Sequence, residues 1–163
     1  MGSRVALFLL CALCVIAAAN LVTATQFRGP FRVKGRCFCD TCNCGFETNR
    51  TTYIHRATVA LQCSDRVTGE LRYQAFQDTD ETGTYSFLVE LDHGDDFCYV
   101  TPVSSPHPDC REHNPRRNRA EVVVTRNNGD VSPIRHANSV AFFKDKPLPG
   151  CDEFIKQILA SDG

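Results

Sequence analysis

The chain has no tryptophan and a single methionine, at its first residue. Sugar-binding faces commonly rest on exposed aromatic rings, so without tryptophan any such face would fall to tyrosine or phenylalanine. An excess of one charge is also missing. Eighteen Lys and Arg stand against 19 Asp and Glu, a formal net charge of −1. A dedicated nucleic-acid binder would carry a strongly basic face, so no nucleic-acid partner is expected. No Gly-x-Ser-x-Gly elbow, His-Glu-x-x-His helix or phosphate-cradling glycine loop occurs, and no cofactor motif is present to support an enzyme. Carboxylates distant in sequence can still meet in a fold.

What is present begins with an N-terminal leader. Arg4 supplies a positive charge, Val5 to Ala19 is an almost unbroken apolar run, and Val22-Thr23-Ala24 offers small residues for cleavage, the pattern of a secretory signal peptide. The run is shorter than the about 20 residues a membrane span requires. Residues 1–24 are therefore expected to be removed, leaving no membrane span. The remaining 163 − 24 = 139 residues, 25–163, are expected to form one domain with its own core. Of the ten cysteines, Cys11 and Cys14 leave with the leader and eight remain. An even number of cysteines in an exported chain reads as a disulfide framework, although spacing alone cannot choose the pairing.

Period-two alternation predicts strands over Phe31 to Cys39, Thr58 to Cys63, Leu71 to Phe76, Thr84 to Val89, Phe97 to Val103, Ala120 to Arg126 and Val140 to Phe143. Val59, Leu61 and Cys63 share one face, as do Tyr85, Phe87 and Val89. About seven short strands separated by Gly, Pro, Asn and Asp clusters indicate an all-β antiparallel sandwich or small barrel, stapled by disulfides. Phe154, Ile155, Ile158 and Leu159 form one helical stripe with Asp152 and Glu153 in the first turn, which predicts a short C-terminal helix or tail.

Four cysteines crowd into Cys37-Phe-Cys39-Asp-Thr-Cys42-Asn-Cys44. A two-residue turn at Asp40-Thr41 would set Cys39 opposite Cys42 and Cys37 opposite Cys44 on one face, within reach of a local Cys37–Cys44 bond. Zinc and thiol-redox chemistry compete for that geometry. Structural zinc sites usually draw on separated knuckles, and a redox Cys-x-x-Cys needs a helix N-terminus that this stretch does not offer. Asn49-Arg50-Thr51 is a glycosylation sequon in a polar stretch. His107, Cys110 and His113 lie close together without an evident fourth ligand, in a proline-rich loop. Leu91-Asp92-His93-Gly94-Asp95-Asp96 lacks the spaced ligands of a calcium loop and reads as an acidic hairpin turn. Arg116, Arg117 and Arg119 form the one basic cluster, suited either to an acidic wall polysaccharide such as pectin or to a receptor.

The stretch Val33-Lys-Gly35-Arg-Cys37-Phe38-Cys39-Asp40-Thr41-Cys42-Asn-Cys44-Gly45-Phe46-Glu-Thr48 resembles the signature of the olive-allergen (Ole e I) type of pollen proteins, usually Gly-x-Val-Tyr-Cys-Asp-Thr-Cys-Arg. The similarity continues in order through Leu61-Gln62-Cys63, Phe97-Cys98, Asp109-Cys110, Phe142-Phe143-Lys144 and Pro147-Leu148-Pro149-Gly150-Cys151. Cys37 stands where Val is usual, Phe38 where Tyr is, Asn43 where Arg is, and His55-Arg56 where Pro-Gly is common. The resemblance implies a secreted, often glycosylated sandwich or barrel with disulfides Cys39–Cys110, Cys42–Cys151 and Cys63–Cys98, leaving Cys37 and Cys44 as an extra pair. It further implies a non-enzymatic extracellular or cell-wall protein of pollen germination and tube growth, with a protein partner such as a receptor kinase and allergenic relatives. No catalytic residue and no metal site come with the motif. A monomer is expected, with its active surface on the exposed loops Asn43 to His55 and His107 to Arg119; a pectin-binding module is the alternative.

Overall fold

Where apolar and polar side chains alternate, the backbone is extended and one face is buried. The computed structural model describes residues 29–161; the expected leader, with Cys11 and Cys14, lies outside the described residues. Among the described residues the chain order is β1 (Phe31–Asp40), β2 (Thr52–Tyr53), β3 (Thr58–Asp65), β4 (Leu71–Asp78), β5 (Thr84–Val89), β6 (Asp96–Ser104), β7 (Glu112–His113), β8 (Ala120–Val122), β9 (Ile134–His136), β10 (Val140–Phe143) and the helix α1 (Cys151–Ser161). The fold is mostly β, in two sheets, with a short C-terminal helix.

One sheet runs β2-β1-β10-β7, with β5 and β9 also paired to β1; the other runs β4-β3-β6-β8. β1 is the spine of the first sheet. β5 and β9 flank its first half, and β2 and β10 its second. The expected antiparallel order holds for β5 and β2, but β9 and β10 run parallel to β1, with Arg32 opposite Ile134 and Cys37 opposite Val140. Parallel neighbours need a long crossover, which the intervening second sheet supplies. Periodicity carries no information about strand direction.

The facing sides of the sheets make one core. Phe31, Val33, Tyr85, Val89, Val140 and Phe142 come from the first sheet, and Val59, Leu61, Cys63 and Val100 from the second, all without exposed surface. Each such aliphatic or aromatic side chain contributes about 1.5 to 3 kcal/mol by leaving water. Gly35 on β1 lies opposite Tyr85 on β5. A Cβ at Gly35 would fall on the Tyr85 hydroxyl and ring, so only glycine admits this buried tyrosine. At the end of β1 alternation stops: Cys37, Phe38, Cys39 and Asp40 are all buried. Successive strand residues point to opposite faces, so both faces of β1 are covered here. β8 ends at Val122 rather than running to Arg126, because the Val124 carbonyl leaves the ladder and accepts the His93 amide at 2.8 Å.

Candidate interaction surface

The residues after Cys39 do not fold back as a hairpin. Asp40, 2% exposed, directs its carboxylate into the following loop, where Oδ1 accepts the Cys44 amide at 3.0 Å and Oδ2 the Gly45 amide at 2.6 Å. Asn43 and Gly45 adopt left-handed φ of 56° and 82°, the conformation that short polar residues and glycine tolerate best. The Thr41 hydroxyl donates to the Arg50 carbonyl at 2.8 Å and ties the far end of the loop back. Asp40 and Thr41 of the Cys-Asp-Thr-Cys signature therefore wrap a loop around a buried carboxylate.

This overturns the face-to-face placement of four thiols. Cys39 is bonded to Cys110, Cys42 to Cys151 and Cys63 to Cys98. Cys37 and Cys44 are free and do not pair, because the hairpin that would oppose them is absent. Cys37 is wholly buried beside β10, and burial pushes its thiol up to about 12. Cys44 is half-buried in the loop, its thiol raised by burial and by the Asp40 charge. With Cys39 and Cys42 in separate bonds, neither a four-thiolate zinc site nor a Cys39–Cys42 redox pair forms.

The second loop, from His107 to Arg119, closes on the first. Asn114, fully buried, donates through Nδ2 to Asp40 Oδ2 at 3.2 Å, and its Oδ1 accepts the Arg116 amide at 2.9 Å. Arg117 donates from Nε to the Gly45 carbonyl at 2.7 Å, and its own carbonyl accepts the Ala141 amide at 3.0 Å. The Arg116 stem lies against Gly45. Cys42–Cys151 brings α1 to the same end, with Asp152 and Glu153 at its positive N-terminus and the Arg50 guanidinium over the Phe154 ring at 4.5 Å. A cleft of about 170 Å³ opens between Cys44, Phe46, Arg116, Ile155 and Leu159. Phe46 is 40% and Leu159 68% exposed on its rim.

The three arginines read as one basic cluster go to different places. Arg116 lines the cleft, Arg117 holds the Gly45 loop, and Arg119 lies over Tyr99 of β6 at 4.2 Å. Asn49 is exposed in a turn closed by the Thr51 amide on the Thr48 carbonyl at 3.1 Å. His107, Cys110 and His113 are not gathered around an ion. Cys110 is bonded to Cys39, the His107 Nδ1 accepts the Asp109 amide, and the His113 ring rests on Phe142. The acidic turn hides what sequence reading missed: His93 and Asp96 are buried at 7% and 8% exposure, with Nδ1 and Oδ2 2.8 Å apart. The opposition of Cys63 and Cys98 on neighbouring strands was the available signal, since it brings the start of β6 under the core.

No helix among the described residues is long and apolar enough to cross a membrane. Residues 29–159 match the family described as "Pollen protein Ole e 1 like". Pollen-specific protein C13 of Zea mays is 40% identical over 151 residues, covering 92% of this chain and 89% of the maize protein. Pollen allergen Cro s 1 of Crocus sativus is 38% identical over 162 residues, covering 97% of this chain and 95% of the crocus protein. Among solved structures, that of the major plantain pollen allergen Pla l 1 aligns with a TM-score of 0.66 at 27% identity, covering 75% of this chain and 99% of that one.

Proposed function

This chain belongs to the Ole e 1-like family of pollen proteins, and from that premise we propose that it is a secreted, non-enzymatic protein of the plant extracellular space and cell wall. It acts in pollen germination and tube growth by binding another protein, such as a receptor kinase ectodomain, as a monomer. Residues 1–24 direct export and are removed; Asn49 carries a glycan; allergenicity follows the named relatives.

The observation that carries this reading is the joining of two loops and α1 into a single ordered end face. The Cys39–Cys110 and Cys42–Cys151 bonds, the Asp40 carboxylate and Arg117 hold it. A loop ordered before contact spares the entropy of ordering it on binding, and disulfides persist where export places them. The face offers an apolar anchor, Phe46 and Leu159, beside the Arg116 guanidinium, which suits a protein partner with an apolar pocket and an acidic rim. A pectin-binding role has less support, because Arg117 and Arg119 are engaged by Gly45 and Tyr99.

The test uses the secreted protein on germinating pollen. Binding to a candidate receptor ectodomain and tube length are measured for the wild type, for Phe46→Asp with Arg116→Glu, and for Phe76→Asp, which sits exposed on β4 of the other sheet. Loss of binding and growth response in the double variant alone is the expected result. Equal behaviour of all three proteins overturns the assignment of this face.

A further inference from the structure

A second polar cluster lies in the second sheet, apart from the loop face. Cys63 on β3 and Cys98 on β6 stand opposite each other and are bonded, and a ring nitrogen of His93 lies with both sulfurs inside a 4.8 Å envelope. All three residues are buried. His93 Nδ1 is engaged by Asp96 Oδ2 at 2.8 Å, while Nε2 is buried without a hydrogen-bond partner. Asp96 Oδ1 also lacks one, the nearest cation being Arg72 Nε at 3.7 Å. A buried polar nitrogen without a partner is destabilising, and the disulfide gives it no hydrogen bond.

We infer that Cys63, Cys98 and His93 form a redox-gated site for a divalent cation of the zinc class, closed while the disulfide stands and opened by its reduction. Two thiolates and one imidazole are the donors such an ion prefers. A carboxylate on Nδ1, here Asp96, orients the ring and leaves Nε2 as the nitrogen free to ligate, as the partners of metal-bound histidines do. Metal–sulfur bonds of about 2.3 Å and metal–nitrogen bonds of about 2.0 Å put the ligands of one tetrahedral ion roughly 3.5 to 3.8 Å apart. The two sulfurs, held together while bonded, must part on reduction, and the His93 nitrogen, within 4.8 Å of both, must close by about an ångström, movements that the freed side chains can make. The cation also neutralises two thiolates that would otherwise be buried charges. Entry runs through an open cleft of about 520 Å³ that Cys98, His93 and Asp96 line together.

The chemistry balances with a dithiol as reductant. Its thiolate attacks one sulfur of the Cys63–Cys98 bond, and its second thiol resolves the mixed disulfide. The dithiol leaves as a cyclic disulfide, and its two protons end on Cys63 and Cys98. The cation then displaces both protons to solvent, while His93 contributes Nε2 and keeps the N–H of its Nδ1 directed at Asp96.

To test this, the full secreted protein is treated with graded dithiothreitol and freed of it, and the opened bond is identified by alkylation and peptide mapping. Cobalt(II) serves as the probe, since thiolate coordination gives it a charge-transfer band. We expect one equivalent of cobalt in material with Cys63 and Cys98 open, displaced by zinc with no cobalt band before reduction. His93→Gln, which leaves every disulfide in place, is expected to weaken binding at least about tenfold, and Asp96→Asn about 10- to 100-fold. Three results each overturn the site. They are an unchanged cobalt band in reduced Cys63→Ser/Cys98→Ser protein, unchanged affinity in His93→Gln, and opening of Cys63–Cys98 only together with loss of the sheet's circular dichroism.

Discussion

Replacing Asp40 by asparagine keeps the shape of the side chain and removes one acceptor from a buried site that needs two. The carboxylate receives three N–H groups, from Cys44 on Oδ1 and from Gly45 and Asn114 on Oδ2. The amide oxygen of the variant can keep the Oδ2 pair. Its NH2 then meets the Cys44 amide donor to donor. The lost bond to a charged acceptor counts for about 1.5 to 3 kcal/mol, and the orphaned N–H sets a similar scale from the side of desolvation. These describe one loss rather than two, and the weakening of the remaining bonds to a neutral oxygen adds to it, so Asp40→Asn should cost about 2 to 4 kcal/mol. A domain holds about 5 to 15 kcal/mol in total, so the change is easily measured. Urea unfolding with the disulfides intact is the assay: the midpoint should fall with an unchanged slope, and hydrogen exchange at the Cys44 and Gly45 amides should accelerate. A loss below about 0.5 kcal/mol with unaltered protection of those amides would refute the idea that this carboxylate organises the loop.

Four further outcomes follow from the same structure. In native protein at mildly alkaline pH an alkylating agent should modify Cys44 and spare Cys37, which is wholly buried, and both should react once unfolded; modification of Cys37 at the same rate would show that the core end of β1 is open. Burial raises the Cys37 thiol from 9.0 to about 12, so its contribution to stability is full below pH 9 and is lost as pH rises from there toward 12, and Cys37→Ala should flatten that alkaline decline in urea titrations. Arg56 sits at a left-handed φ of 58° where a glycine is common in the family; Arg56→Gly should add up to about 1 kcal/mol of stability, read as a higher urea midpoint, and a lower midpoint would contradict the strain. Amides of Thr68 and Val67 bonded to Asp65 hold its carboxyl down to about 2 against an ordinary 3.8; the stability it adds is present above about pH 4 and is lost as pH falls toward 2, so Asp65→Asn should shrink the acid-side loss.

How much could be read beforehand depended on the range of the forces involved. β5 and β10 occupy the predicted spans, because their burial follows from local alternation. The stripe of Phe154, Ile155 and Ile158 likewise announced α1. β2, β7 and β9 have two or three residues each, too few for any period, and exist because β1 and β10 present ladder edges to them. The cysteine run misled as geometry for a related reason. Whether Asp40-Thr41 makes a tight turn or a capped loop is decided by Asn114, 74 residues away, and no local pattern records that partner. His93 read as solvated because its neighbours are acidic, but the chain enters β6 under the core there and buries it with Asp96.

The loop face therefore depends on contacts that are long in sequence and short in space. Cys39–Cys110 and Cys42–Cys151 close separations of 71 and 109 residues, each removing about 4 to 5 kcal/mol of chain entropy from the unfolded state on the loop-closure estimate. Their sulfurs flank Asp40 and Thr41, so the same bonds that stabilise the fold also fix the backbone from which Asn43, Cys44 and Phe46 project. The side chains of those three residues take no part in the hydrogen bonds that Asp40, Thr41, Asn114 and Arg117 supply; only the Cys44 backbone amide does, on Asp40 Oδ1. Asn43 is also a position where the chain departs from the usual family signature. Side chains there can change the chemistry offered to a partner while the loop keeps its shape, which separates recognition from folding within a stretch of four residues.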